Sequence, residues 1–140
     1  MLETDDTFRL TELTEALAET DRKLDAYRKF FELVPDPCAV ASASGQFLYV
    51  NKAFCNVMDK SEEELTGALF TKFVHPDDIN KTLHIMGVMT GNQITNFKNR
   101  YSKSDGTYVT LNWSAARWED GLAYASARVA EPDKEKLIVE

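Results

Sequence analysis

Clustered positive charge is missing from this sequence. Its 16 Lys and Arg stand against 23 Asp and Glu, for a formal net charge of -7, and no basic run exceeds the pairs in Asp21-Arg22-Lys23 and Arg28-Lys29-Phe30. Nucleic acid and anionic membrane both select for grouped Lys and Arg, so neither is an expected partner. Long apolar runs are missing too, and none approaches the about 20 residues of a transmembrane helix. The acidic opening MLETDDTF is unlike a secretory signal or a transit peptide, and a cytoplasmic location is expected. Cysteine is scarce: Cys38 and Cys55 form no CxxC and no His/Cys quartet, so they are expected to be small buried hydrophobes in a reducing compartment. There is no Gly-rich phosphate loop, no nucleophile beside a base and no pair of carboxylates at a strand end. No catalytic residue is therefore named, and the chain is not expected to be an enzyme.

Proline and glycine are few, 4 and 6, and their positions punctuate the chain. Residues 8–33 contain neither, and Leu10, Leu13, Leu17, Leu24, Tyr27 and Phe31 recur at alternating steps of three and four, with Thr20 as the one interruption. That spacing predicts a helix over residues 1–32 with a heptad seam. Such a seam either packs on its own domain or pairs with a second copy, and a homodimer is the favoured expectation. Leu33-Val-Pro-Asp-Pro37 then stops the helix, because residues before proline leave the α region.

From residue 33 to 131 the pattern is that of a folded domain. Cys38–Ser42 and Phe47–Val50 read as a hairpin; Asn51 caps a short helix, Lys52–Met58; Ser61-Glu-Glu-Glu64 is a capping box whose helix ends at Gly67. Pro76-Asp77-Asp78 opens a further helix running to Thr90-Gly91. The period then becomes two, predicting strands over Ile94–Tyr101, Tyr108–Ala116 and Leu122–Val129, joined by Ser-Asp-Gly and Glu-Asp-Gly turns. Helices grouped between strands imply an α+β domain, with the helices on one face of an antiparallel sheet. Residues 132–140 read as a linker towards an output domain.

Five stretches in this order, FFELVPDPCAVAS, GQFLYVNKAFCNVM, SEEELTG, FVHPDD and RYSKSDGTYVTLNW, resemble the PAS family of sensory and interaction domains. The resemblance spans residues 30–131 and implies a five-stranded antiparallel sheet of order 2-1-5-4-3, whose inner face and helices enclose a small pocket. The N-terminal helix resembles the signalling helix that pairs many PAS domains. The Asp-x-Thr that often closes the family's last strand is replaced by Arg128-Val129-Ala130, which leaves coupling through that contact unsupported. A sensory module fused to a histidine kinase of a two-component system, or to a cyclic-dinucleotide enzyme, is the setting the resemblance favours; the alternative is a cofactor-free interaction and dimerisation domain.

Each cofactor of the family can be tested against residues. The flavin-reactive helix of LOV members, G-x-N-C-R-F-L-Q, corresponds here to GALFTKFVHPDD, which has no cysteine, so FMN photochemistry of that type is excluded. Cys55 is the last cysteine, too early for the photoactive yellow protein chromophore. Haem sensors of the family use a histidine on the long helix, where His84 lies. At about 100° per residue from Ile79, Leu83 falls at about 40° and Met86 at about −20°, with Thr82 and Met89 at the edge of this stripe; His84 falls at about 140°, on the polar side. Haem is not expected. Nor is a metal: His75, Asp77 and Asp78 have the chemistry of a helix start, and His84 is two turns away.

The pocket itself remains. On the second long strand Val109, Leu111, Trp113 and Ala115 are the more apolar set, and a Ser104-Asp105-Gly106 loop sets Phe97 opposite Trp113, Asn99 opposite Leu111 and Tyr101 opposite Val109. An inward Asn99 either orients a ligand or bonds to neighbouring backbone. The resemblance adds Tyr124 and Ser126 from the last strand, and Phe54, Met58, Phe70, Phe73, Ile79, Leu83 and Met86 from the helices. A filled interior without cofactor is the favoured expectation; FAD beside Trp113 and Asn99, or another small apolar ligand, are the alternatives.

Overall fold

The computed structural model describes residues 2–130, with side chains from Thr4. The expected linker at residues 132–140 lies outside the described residues. Two units divide the chain, Met1–Leu33 and the remainder from Val34.

The first unit is one helix, α1 (Leu2–Leu33). Glu19 pairs with Arg22, and Asp25 lies 2.8 Å from Lys29, at i,i+3 and i,i+4 spacing. Such exposed pairs support a helix only weakly. Leu10, Leu13, Leu17, Leu24 and Tyr27 are all more than half exposed.

The second unit begins with β1 (Cys38–Ala41) and β2 (Phe47–Val50), joined by a turn in which Gly45 takes φ +92°. A Cβ at Gly45 would stand 2.6 Å from Phe70 Cε1, so both the backbone angle and the neighbouring ring require glycine. Asn51 then caps α2 (Lys52–Met58) and does more than cap. Its Oδ1 accepts from Phe54 N and from Cys38 N, while its Nδ2 donates to the carbonyl of Asp36, all within 3.0 Å. One fully buried amide thus ties the start of β1 to the start of α2, which satisfies backbone groups that burial would otherwise penalise.

α3 (Glu62–Leu65) carries the capping box formed by Ser61 and Glu64. It ends with Thr66 in extended conformation, before the Gly67 expected from sequence. A 3-10 turn over Pro76–Asp78 precedes α4 (Ile79–Val88), and His75 caps that turn by accepting at Nδ1 from Asp77 N. β3 (Gln93–Ser102), β4 (Tyr108–Arg117) and β5 (Ala123–Val129) complete an antiparallel sheet of order β2-β1-β5-β4-β3.

The core lies between the sheet and the short helices. Phe54, Met58, Leu65 and Leu111 are completely buried, with Phe47, Phe73, Tyr101 and Trp113 packed around them. Ring centroids of Phe54 lie 5.3 Å from Phe47 and 5.9 Å from Trp113, at the spacing where tilted aromatic pairs attract. The strand register is the expected one: Phe97 faces Trp113, Asn99 faces Leu111 and Tyr101 faces Val109.

Candidate ligand cavity

A cavity of about 70 Å³ lies between α4 and the inner face of the sheet. Ala39, Ala41, Ala115, Ala123 and Ala125 floor it, Phe47, Phe70, Phe97 and Trp113 wall it, and Thr82, Ile85, Met86 and Met89 come from the α4 side. Asn99 and Tyr101 of β3 complete the lining. The cavity exists because β1 and β5 present methyl groups there, where larger side chains would close it.

One string of hydrogen bonds runs along its edge. Trp113 Nε1 donates to Asn99 Oδ1 at 2.8 Å, Asn99 Nδ2 donates to Thr82 Oγ1 at 3.1 Å, and Thr82 Oγ1 donates to the carbonyl of Asp78 at 2.7 Å. The directions follow from chemistry. An indole N–H can only donate, so it must meet the amide oxygen; the amide nitrogen then faces Thr82, whose hydroxyl accepts and passes its own hydrogen to the carbonyl. The string therefore links β4, β3 and α4 through groups that are all buried.

α4 has two further polar fastenings. At its start the Asp78 carboxylate accepts from Arg100 N at 2.8 Å and from Arg100 Nε and Nη2 at 2.9 Å each. The guanidinium beside it holds this carboxyl well below the usual carboxylate range, although burial opposes the shift. At its other end Arg117 reaches the carbonyl of Met86 at 3.4 Å and that of Gly121 at 3.0 Å. Tyr101 is buried, and desolvation pushes its phenol up, against a smaller opposing effect of the Asn99 hydrogen bond.

These fastenings turn α4 away from the orientation expected from its apolar stripe. Thr82 and Met89 are buried, Ile79 and Met86 are half-buried, and Leu83 is 49% exposed. Leu83 therefore does not line the cavity. Hydrophobicity alone centred the inner face on Ile79, Leu83 and Met86, whereas the polar bonds of Asp78 and Thr82 to β3 centre it on Thr82. His84 is exposed, and among the described residues no group of three His, Cys, Asp or Glu could hold a metal ion.

Tyr124 and Ser126 require a second correction. Trp113 pairs with Ala127 and Ala115 with Ala125. Directly opposed residues share a face of an antiparallel sheet, so the alanines of β5 point inward and Tyr124 and Ser126 outward. Tyr124 donates to Asp120 Oδ2 at 2.7 Å on that outer side. The turn Glu119-Asp120-Gly121 carried the signal: it pairs Trp118 with Leu122 through Trp118 N and the Leu122 carbonyl, and counting back along β4 from there sets Trp113 opposite Ala127.

Of the other candidates, Phe70, Met86, Phe97, Asn99 and Trp113 line the cavity. Phe54, Met58, Phe73 and Leu111 are buried in the core behind it, and Ile79 packs at the edge of that core. Thr82 and Met89, expected only at the edge of the stripe, and Tyr101 and Ala115, expected only in the strand pairing, also line the cavity, together with Phe47, Ile85 and the alanines of β1 and β5, which were not expected there; alanines carry little weight in an apolar pattern.

A family model described as PAS fold matches residues 25–128. The chain belongs to the PAS family. A probable diguanylate cyclase, DgcE of Escherichia coli K12, is 31% identical over 99 residues, which are 68% of this chain and 9% of that protein. The PAS domain of an HTR-like protein from Haloarcula marismortui superposes with a TM-score of 0.67 at 24% identity, covering 86% of this chain and 99% of that one. A domain of a sensory box histidine kinase/response regulator from Geobacter sulfurreducens gives 0.67 at 22% identity, over 76% and 93%. At these identities the two structures share the PAS fold with this chain. The PAS domain is a regulatory, sensory module of signal transduction, homologous to a domain in a probable diguanylate cyclase.

Proposed function

We propose that this PAS module senses a small molecule in the cavity beside α4 and relays its state, through a pair of α1 helices, to an output domain in the same polypeptide. A histidine kinase or a cyclic-dinucleotide enzyme is the output in keeping with the relatives. The observation that carries the reading is the Trp113–Asn99–Thr82 string, which puts cavity-lining groups of the sheet in direct hydrogen-bonded contact with a helix. A ligand competing for those bonds biases the position of α4, and a bias of that kind is what a sensor must pass on. Cys38 and Cys55 are both reduced thiols, in keeping with a cytoplasmic setting.

The α1 seam supports the dimeric part of the proposal. Leu17 and Leu24 are 65% and 54% exposed, and a stripe of leucines at heptad spacing is stabilised by a partner helix. Replacing both by glutamate puts charge into that seam, and sedimentation of the double variant is expected to give a monomer where the unaltered chain gives a dimer. An unchanged dimer would remove α1 from the relay.

A further inference from the structure

The cavity is small, uncharged and edged by groups that both accept and donate hydrogen bonds, and each property restricts what can enter. At about 70 Å³ it is several times the about 10–15 Å³ that one water needs and about half the 150 Å³ cavity that takes benzene. An isoalloxazine or a porphyrin needs a pocket of about 300 Å³ or more. No charged side chain lines the space, so an ammonium or carboxylate would shed its hydration without a counter-charge.

The polar edge narrows the chemistry further. Trp113 Nε1–H, one Asn99 Nδ2–H and the Thr82 hydroxyl hydrogen are already engaged within the string. Asn99 Oδ1 and Thr82 Oγ1 each keep a lone pair, and Asn99 Nδ2 has a second N–H beyond the one given to Thr82, so the edge both takes and gives hydrogen bonds, and a hydroxyl answers both in one group. The hydroxyl of Tyr101, at the cavity wall and hydrogen-bonded to Asn99, still has capacity for a second partner, and a group that can both give and take a hydrogen bond meets it equally well.

We infer that the cavity takes a short neutral alcohol of about three to five non-hydrogen atoms, its hydroxyl against Asn99 and Thr82 and its apolar body against Met86, Phe97 and Ala125. This rests on the reading of the module as a cavity-based sensor and names the ligand class of that site. The alcohol donates to a lone pair of the string, and the bond most directly affected is the one Asn99 Oδ1 already accepts from Trp113.

The test follows the Trp113 indole N–H by nitrogen-edited NMR of the full chain, with Trp118→Phe to identify the signal. Propan-2-ol is expected to move it saturably at millimolar concentration, while isopropylammonium and acetate, of equal size but charged, leave it in place. Ala125→Leu fills the cavity and is expected to weaken the response at least tenfold; Ala125→Val, a smaller filling, gives an intermediate loss should the leucine variant not fold. No saturable shift, equal response to the charged compounds, or an unchanged response in both Ala125 variants overturns the inference. A saturable shift with lumichrome, a tricyclic flavin analogue, also overturns the alcohol class but leaves the sensor reading standing. Failure of every compound alongside an intact α1 dimer overturns both and favours a ligand-free interaction module.

Discussion

Asp78 shows what a single buried charge does in this molecule. It is 4% exposed, yet it accepts three hydrogen bonds from Arg100 and lies 3.6 Å from Lys81 Nζ. Its carboxyl is depressed in the folded chain, so on acidification the unfolded chain takes the proton first, near pH 4. The stabilisation is therefore complete above that pH and is lost as pH falls towards the folded value. Asp78→Asn is expected to cost about 2–3 kcal/mol at pH 7. The gap between variant and unaltered chain should close below pH 4, as read from urea midpoints across a pH series. A constant gap would assign the loss to packing and leave ionisation out of it.

At the scale of elements, α4 is the helix whose orientation hydrophobicity misjudged. Leu83→Gln, at an exposed position, is expected to change stability by no more than about 0.5 kcal/mol. Met89→Ala, at a site 1% exposed, is expected to cost about 2–5 kcal/mol in the same urea titration; the reverse ranking would restore the leucine-centred face. What was legible in the sequence was local. The Asn51 cap, the Ser61–Glu64 box, the Pro76 helix start and the Ser104-Asp105-Gly106 register all depend on residues a few positions apart, and all stand in the structure. The facing of α4 and of β5 depends on bonds between distant segments, Asp78 with Arg100 and Trp113 with Ala127. No periodicity within one segment contains such a bond. The cavity was half legible for the same reason: its aromatic and methionine walls stand out in a pattern, whereas its alanine floor is an absence of side chain.

Across the whole molecule, stability is distributed unevenly. The sheet and the short helices α2 and α3 share one apolar cluster that includes Phe54, Leu65, Leu111 and Trp113, against which α4 sets only the half-buried Ile79 and Met86; within α4 the one buried residue is Thr82. The polar attachments of the helix are three: Asp78, Thr82 and the carbonyl that Arg117 reaches. Lifting it uncovers Ile79, Ile85, Met86 and the cavity wall beneath, less apolar surface than unfolding the sheet, so its opening energy should depend on urea less steeply than global unfolding does. Native-state hydrogen exchange at low urea is expected to give shallow isotherms for the amides of α4 and steep ones, tracking global unfolding, for those of β4 and β5. Steep isotherms in α4 would make it part of the global cooperative unit. A helix that detaches on its own, with a smaller denaturant slope than the fold that carries it, can shift its population many-fold while the melting of the rest of the fold stays where it was.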